Sequence, residues 1–317
     1  MASVDILLAT YNGAAHVREQ IASLQQQTFS DWRLLIRDDG SSDATPTLLA
    51  ELAQSDSRIE IVADTLGNLG FNGNFHALLR ASQAPWVMFC DQDDVWLPSK
   101  IERTLCVMRD QPVDEPVVVH CDAVVSDAHL RPLLPRFIGD RGLARGLPSV
   151  LLANPVQGAA MMINASLRAL MVQNIPSLPF DYQAALLAEA TGRRVFIPEA
   201  LLLYRQHGGN VIGAGTAPAS SGVQNQNRSA STWRRAGMTL TIGLLAAPHV
   251  ETVLRPVQAR WRANTAEILA HHARFVRVGF SWAKLAWWWR SDYQYFRRRD
   301  RYNALLWALG WYRSLAV

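Results

Sequence analysis

Apolar runs of four to seven residues alternate with amphipathic stretches through the first part of the chain. Residues 4–9 form a nearly unbroken apolar run, a Tyr-Asn-Gly turn follows, and residues 15–26 repeat apolar positions at helical spacing. This predicts strand, loop, helix. Residues 33–37 are a second strand candidate, closed by Asp38, Asp39 and Gly40; Ser42 or Asp43 is placed to cap a helix through Leu48, Leu49 and Leu52. Strands are expected again at 59–63, 86–90, 117–120, 160–163, 195–198 and 201–204, and helices at 74–82 and 178–192, the latter entered at Asp181.

Short strands separated by helices imply a Rossmann-like, doubly wound, mostly parallel α/β sheet, because parallel strands need crossover connections. In such sheets ligands bind beyond the carboxyl ends of the strands. The polar signatures fall there: Thr10, Tyr11 and Asn12 after the first strand, Asp38 and Asp39 after the second, and Asp91, Gln92, Asp93 and Asp94 after residues 86–90.

Of 317 residues, 49% are hydrophobic and 18% charged, enough to bury a core and too ordinary for a disordered or fibrous chain. Cys90, Cys106 and Cys121 lack metal-type spacing and read as core residues of a reduced, cytoplasmic protein. The first residues do not resemble a signal peptide, and no apolar run is long enough to span a bilayer. The net charge of +4 hides a division: residues 228–317 hold 15 Lys/Arg against 4 Asp/Glu, leaving residues 1–227 acidic.

Several carboxylates at one strand end repel one another unless a cation stands between them. Oxygen ligands suit Mg2+ or Mn2+, which also neutralise a diphosphate leaving group. A short acidic motif alone is equally a solvated turn; the second pair, Asp38 and Asp39, favours a site, since such carboxylates accept hydrogen bonds from a pyrimidine N–H or a ribose hydroxyl.

Five motifs in order carry a specific resemblance: ATYN at 9–12, RDDGSSD at 37–43, NLG at 68–70, DQDDVW at 91–96 and YRQHGGNV at 204–211. They are similar to those of family 2 glycosyltransferases, above all the bacterial rhamnosyltransferase-like branch. The resemblance implies an A-type fold whose nucleotide half binds the donor through Thr10, Tyr11, Asn12, Asp38, Asp39, Asn68, Asp91 and Gln92. It implies metal ligation by Asp91, Asp93 and His207, a catalytic base at Asp181, and acceptor or phosphate contacts at Gly158 and Arg205. The branch carries a polar residue before the base, whereas this chain has Phe180, and an apolar neighbour raises a carboxylate's pKa. Asp122 is a weaker candidate base.

The expected organisation is a catalytic domain at 1–215, with a nucleotide-sugar half at 1–115 and an acceptor half at 116–215, a linker at 216–231 and a helical extension at 232–317. In the extension Trp282, Trp287, Trp288, Trp289, Tyr293, Tyr295 and Phe296 alternate with Lys284, Arg290 and Arg297–Arg299. That mix suits a membrane interface, where an acceptor on polyprenyl diphosphate would be met on the cytoplasmic face, and equally suits packing on the catalytic domain or on a second subunit of a homodimer. An acidic N-terminal part without a nucleic-acid fold argues against nucleic acid as a partner. The function expected is inverting transfer from a nucleotide sugar, dTDP-rhamnose before UDP-hexose, to a glycan acceptor in O-antigen-type surface polysaccharide synthesis. The rivals are a nucleotidyltransferase, which would carry a basic Gly-rich loop near the N-terminus, and a silent glycosyltransferase-like subunit.

Overall fold

A computed structural model describes residues 2–143, 146–152, 154–173, 178–207 and 249–275. Its centre is one mixed sheet with strand order β3-β2-β1-β4-β8-β6-β9-β5. The strands are β1 (Val4–Thr10), β2 (Trp32–Asp38), β3 (Ile59–Ile61), β4 (Trp86–Asp91), β5 (Val95–Trp96), β6 (Val117–Ser126), β7 (Pro132–Leu134), β8 (Met161–Asn164) and β9 (Arg193–Arg205), with β7 paired to β6 at the side. β3, β2, β1 and β4 are mutually parallel. β8 runs antiparallel between β4 and β6, and β6 pairs in parallel with β9.

The near-continuous apolar runs follow from burial on both faces of the sheet. Ile6 and Leu8 point into one core with Val17, Ile21 and Leu24 of α1 (Val17–Gln25), Leu49 and Leu52 of α2 (Thr45–Ser55) and Ile101 and Leu105 of α4 (Lys100–Arg109). Leu7, one residue out of phase, enters the other core with α3 (Gly70–Ala81), α5 (Leu147–Leu152), α6 (Ala165–Gln173) and α7 (Phe180–Thr191).

Three boundaries differ from expectation for tertiary reasons. α3 begins four residues early because the Asp39 carboxylate, from another element, accepts the N–H groups of Leu69 and Gly70 at 2.8 Å each. α2 has Ala44 at its N-cap, and Asp43 accepts from the N–H and hydroxyl of Thr45 instead of capping. The two runs at 195–198 and 201–204 are one 13-residue strand, since the β6–β9 register shifts at Cys121/Asp122 and leaves Pro198 and Glu199 in the bulge. α4, α5, α6, β5 and β7 were not foreseen. Cys90 and Cys121 are buried as expected, but Cys106 is exposed.

The described part of the extension holds helix α8 at 249–254, a 3-10 turn at Arg255–Arg260 packed against α7, and α9 (Thr265–Phe275) packed against α5. Val250, Val253, Leu254 and Val257 are buried in the core that α7 shares. The backbone N–H of Arg262 donates to the Ala190 carbonyl at 2.7 Å, and its guanidinium to that of Gly192 at 2.8 Å, which satisfies carbonyls at the helix end. The linker at 216–231 and the aromatic segment at 282–299 lie outside the described residues. Among the described residues no helix is long and apolar enough to cross a membrane.

Leu254 is fully buried, so Leu254→Ala is expected to cost about 3 kcal/mol through lost burial and a residual cavity. Urea unfolding of the full chain followed by Trp fluorescence and far-UV CD checks this. An unchanged midpoint would mean that 249–275 is not part of the cooperative unit.

Candidate active site

The ends of β1, β2 and β4 open on one side of the sheet, as crossover topology requires. Thr10 donates to Asp38 Oδ1 at 2.9 Å, and the Ser41 N–H donates to Asp38 Oδ2 at 2.8 Å. Asn12 takes φ 48°, and its side-chain oxygen accepts the Ser42 N–H at 2.9 Å, tying the β1 loop to the β2 loop. Gly40 has φ 85°, a conformation that favours glycine beside these carboxylates. The Tyr11 ring is half exposed at the mouth of the site.

Four expected ligand-binding side chains are spent on structure. Asp39 is buried; besides Leu69 and Gly70 it receives Arg37 at 2.7 Å. Arg37 is itself buried and donates further to Asp64, Gly67 and Asn74. Asn68 donates to the Asp39 carbonyl at 2.8 Å, so that both residues hold the start of α3. The Gln92 amide makes a reciprocal pair with the Tyr11 backbone, accepting its N–H at 2.9 Å and donating to its carbonyl at 3.0 Å. A Cβ at Gly13 would stand 2.2 Å from the Gln92 oxygen, so glycine is required for that approach. Arg205, for which the sequence leaves open a phosphate contact or a pairing with an acidic neighbour, is buried, and its donors go to the Asp93 and Ala128 carbonyls and to the Glu19 carboxylate.

Three carboxylates meet after β4. Burial, and then the neighbouring charges, push Asp91 and Asp94 well above the usual carboxylate range, with Asp93 and Asp181 contributing to the first and Asp91 and Asp93 to the second. Asp94 is fully buried and accepts the Arg205 N–H at 3.1 Å, while its Oδ2 has no partner. Lys100, which the sequence did not mark, lies beneath them, fully buried, donating to the Ala159 carbonyl at 2.5 Å with its ammonium 3.0 Å from the Trp96 ring centroid. Burial lowers it to about 8. Asp93 lies nearer the surface, with Oδ2 2.8 Å from His207 Nε2. Asp93 and His207 thus come together as expected of metal ligands, but among the described residues no three such groups converge to hold an ion by themselves.

Asp181 sits in the first turn of α7, where Pro179 is the N-cap. Burial pushes it up to about 6, opposed by nearby backbone N–H groups, of which that of Tyr182 donates to its Oδ1 at 2.7 Å. Its charge reaches Asp91 across the site. Phe180 enters an aromatic cluster, with ring centroids 4.4 Å from Phe75 and 4.9 Å from Phe89. Gly158 does not open an acceptor cleft here: a Cβ would stand 2.4 Å from the Phe180 ring. Asp122 is fully buried and accepts N–H groups of Ala123, Phe137, Ile138 and Gly139 and the Arg136 guanidinium, which leaves it no role as a base.

Residues 5–150 match the family described as glycosyl transferase family 2. Over 105 residues the chain is 32% identical to the UDP-Glc:alpha-D-GlcNAc-diphosphoundecaprenol beta-1,3-glucosyltransferase WfgD of Escherichia coli, covering 33% of the chain and 40% of that enzyme. Over 255 residues it is 25% identical to an uncharacterised glycosyltransferase of Haemophilus influenzae, covering 74% and 73%. Among solved structures, Staphylococcus aureus TarS 1–349 in complex with UDP-GlcNAc aligns with a TM-score of 0.51 at 12% identity, over 96% of this chain and 90% of that one. The mannosyltransferase PcManGT of Pyrobaculum calidifontis, in complex with GDP-Man and Mn2+, aligns with a TM-score of 0.50 at 16% identity, over 86% and 80%. The chain has the A-type glycosyltransferase fold.

Lys100 supplies a test of the buried charge balance. Folded, it releases its proton near pH 8; unfolded, near 10.5. Between these values the unfolded chain binds more protons, so this lysine makes stability rise with pH, by at most about 1.4 kcal/mol per unit. Urea midpoints of wild type and Lys100→Met from pH 8 to 10 are expected to show that slope in the wild type and a flatter one in the variant.

Proposed function

We propose that this chain is an inverting glycosyltransferase that moves a sugar from a nucleoside diphosphate donor to a glycan hydroxyl. The observation that carries this reading is the proximity of two carboxylate systems: Asp91 to Asp94 at the end of β4, and Asp181 in the first turn of α7, close enough for its charge to act on Asp91. One side suits a donor diphosphate and the other a proton acceptor.

Thr10, Tyr11, Asn12 and Asp38 face the nucleotide, with the Tyr11 ring free to cover the base or ribose. Asp39, Asn68 and Gln92 act by holding those loops in shape. Asp181 takes the proton of the acceptor hydroxyl as that oxygen attacks the anomeric carbon. The bond from that carbon to the diphosphate breaks, the nucleoside diphosphate leaves with the electron pair, and the configuration inverts.

The donor chemistry of Asp93 and His207, with Asp91 nearby, suits Mg2+ or Mn2+, although among the described residues they form no three-ligand group by themselves. A cation that takes its remaining ligands from diphosphate and water needs no closed protein cage. When bound, it would supply charge neutralisation to the leaving diphosphate.

The motif resemblance supports dTDP-rhamnose as donor; the Escherichia coli relative, named for UDP-Glc, and the TarS complex with UDP-GlcNAc support a UDP-hexose. The same relative's name supports an acceptor on polyprenyl diphosphate, met in surface polysaccharide synthesis at the cytoplasmic face of a membrane, with the basic aromatic extension beyond residue 275 as the contact. In this reading 1–115 binds the donor and 116–215 the acceptor.

Isothermal titration with dTDP, UDP and GDP, each with and without Mn2+, is expected to give metal-dependent binding of one nucleotide that Asp93→Ala loses; no binding of any would instead support a silent subunit. Asp181→Asn is expected to lower kcat by roughly 10^3 while leaving nucleotide affinity unchanged. Because the base must be ionised and Asp181 titrates at about 6, wild-type kcat is expected to fall about tenfold per unit below that pH. A flat profile from pH 5 to 7 would remove Asp181 from the role.

A further inference from the structure

We propose that the first turn of α1 is a positioning element for the acidic end of β4, with His16 and Glu19 holding Arg205 and His207 in register against Asp93 and Asp94. The inference rests on the functional reading above and adds to it two residues that no family motif in this sequence contains.

The register pairing of β9 with β6 ends at Ser126 and Arg205, followed by one hydrogen bond from the Gln206 N–H to the Ser126 carbonyl. His207 therefore stands beyond the sheet, yet its Nε2 must meet Asp93. α1 supplies a rigid platform for this. Its entry is fixed by the Gly13 carbonyl, which accepts the N–H groups of His16 and Val17 at 3.0 Å each, and its inner face is buried through Val17, Ile21 and Leu24.

His16 occupies the N-cap, where Ser, Thr, Asp or Asn would usually bond the helix N–H groups. It makes no such bond. Its ring lies against that of His207, with centroids 4.9 Å apart at 36°. A planar neighbour at that distance restricts the rotation of the His207 ring and keeps Nε2 directed at Asp93.

Glu19, one turn on, takes Nη2 of Arg205. The rest of that guanidinium is fixed on the Asp93 and Ala128 carbonyls at 2.6 and 2.8 Å. Arg205 thereby grips the backbone of the acidic loop and leaves the Asp93 carboxylate to His207.

The test titrates Mn2+ into the full-length protein, alone and with UDP or dTDP, following the free Mn2+ signal by electron paramagnetic resonance. Tm is measured in parallel. His16→Ala and Glu19→Gln are expected to weaken Mn2+ binding about 10- to 100-fold while leaving Tm in place, and His16→Phe is expected to restore it. Wild-type Mn2+ affinity in both variants would overturn the proposal, as would a Phe variant as weak as Ala, which would make the imidazole itself a ligand. Absence of Mn2+ binding to the wild type would overturn the metal reading, and this inference with it.

Discussion

Carboxylates gathered at the ends of adjacent strands repel one another, and the architecture of this site depends on how that repulsion is balanced. β1, β2 and β4 all deliver acidic or acid-binding residues to the same side, and a buried anion without a partner is costly. Arg37 answers Asp39 and Asp64, Arg205 answers the Asp93–Asp94 loop and Glu19, and Lys100 lies beneath Asp91 and Asp94. Each of these cations is at least nine-tenths buried. What these cations leave uncompensated shows in the raised pKa values of Asp91 and Asp94, where a functional site can use it.

The surroundings of Asp181 are built by apolar packing. Phe180 anchors the start of α7 in a cluster with Phe71, Phe75 and Phe89, and Gly158 is bare because the Phe180 ring occupies the place of its side chain. One aromatic residue therefore positions the adjacent carboxylate and removes it from water, which raises its pKa toward neutrality without any charged partner.

The same helix links the site to the C-terminal part of the chain. α7 begins at the candidate base and ends at carbonyls that Arg262 and Thr265 satisfy, while Val250, Val253 and Leu254 pack along its core. Residues 249–275 are thus part of what holds Asp181 in place, a role that their basic composition alone does not suggest.

The pattern of apolar and polar positions already specifies the periodic elements and the chemistry at their ends. Apolar runs buried on both faces read as strands, Asp91, Asp93 and His207 stand in ordered motifs, and Asp181 stands at the entry of a helix. Which polar side chains are available to a ligand is settled by contacts between distant parts of the chain. Asp39, Gln92, Arg205, Asn68 and Asp122 are of the same types as site residues, yet the structure commits them to backbone groups or to buried ion pairs far along the chain. Lys100 and His16 went unmarked for the matching reason: a lone lysine or histidine acquires its meaning from neighbours such as Ala159, Trp96 and His207, which are remote in sequence. Local periodicity is written in adjacent residues, whereas hydrogen-bond satisfaction and charge balance are settled between residues that meet only when the chain has folded.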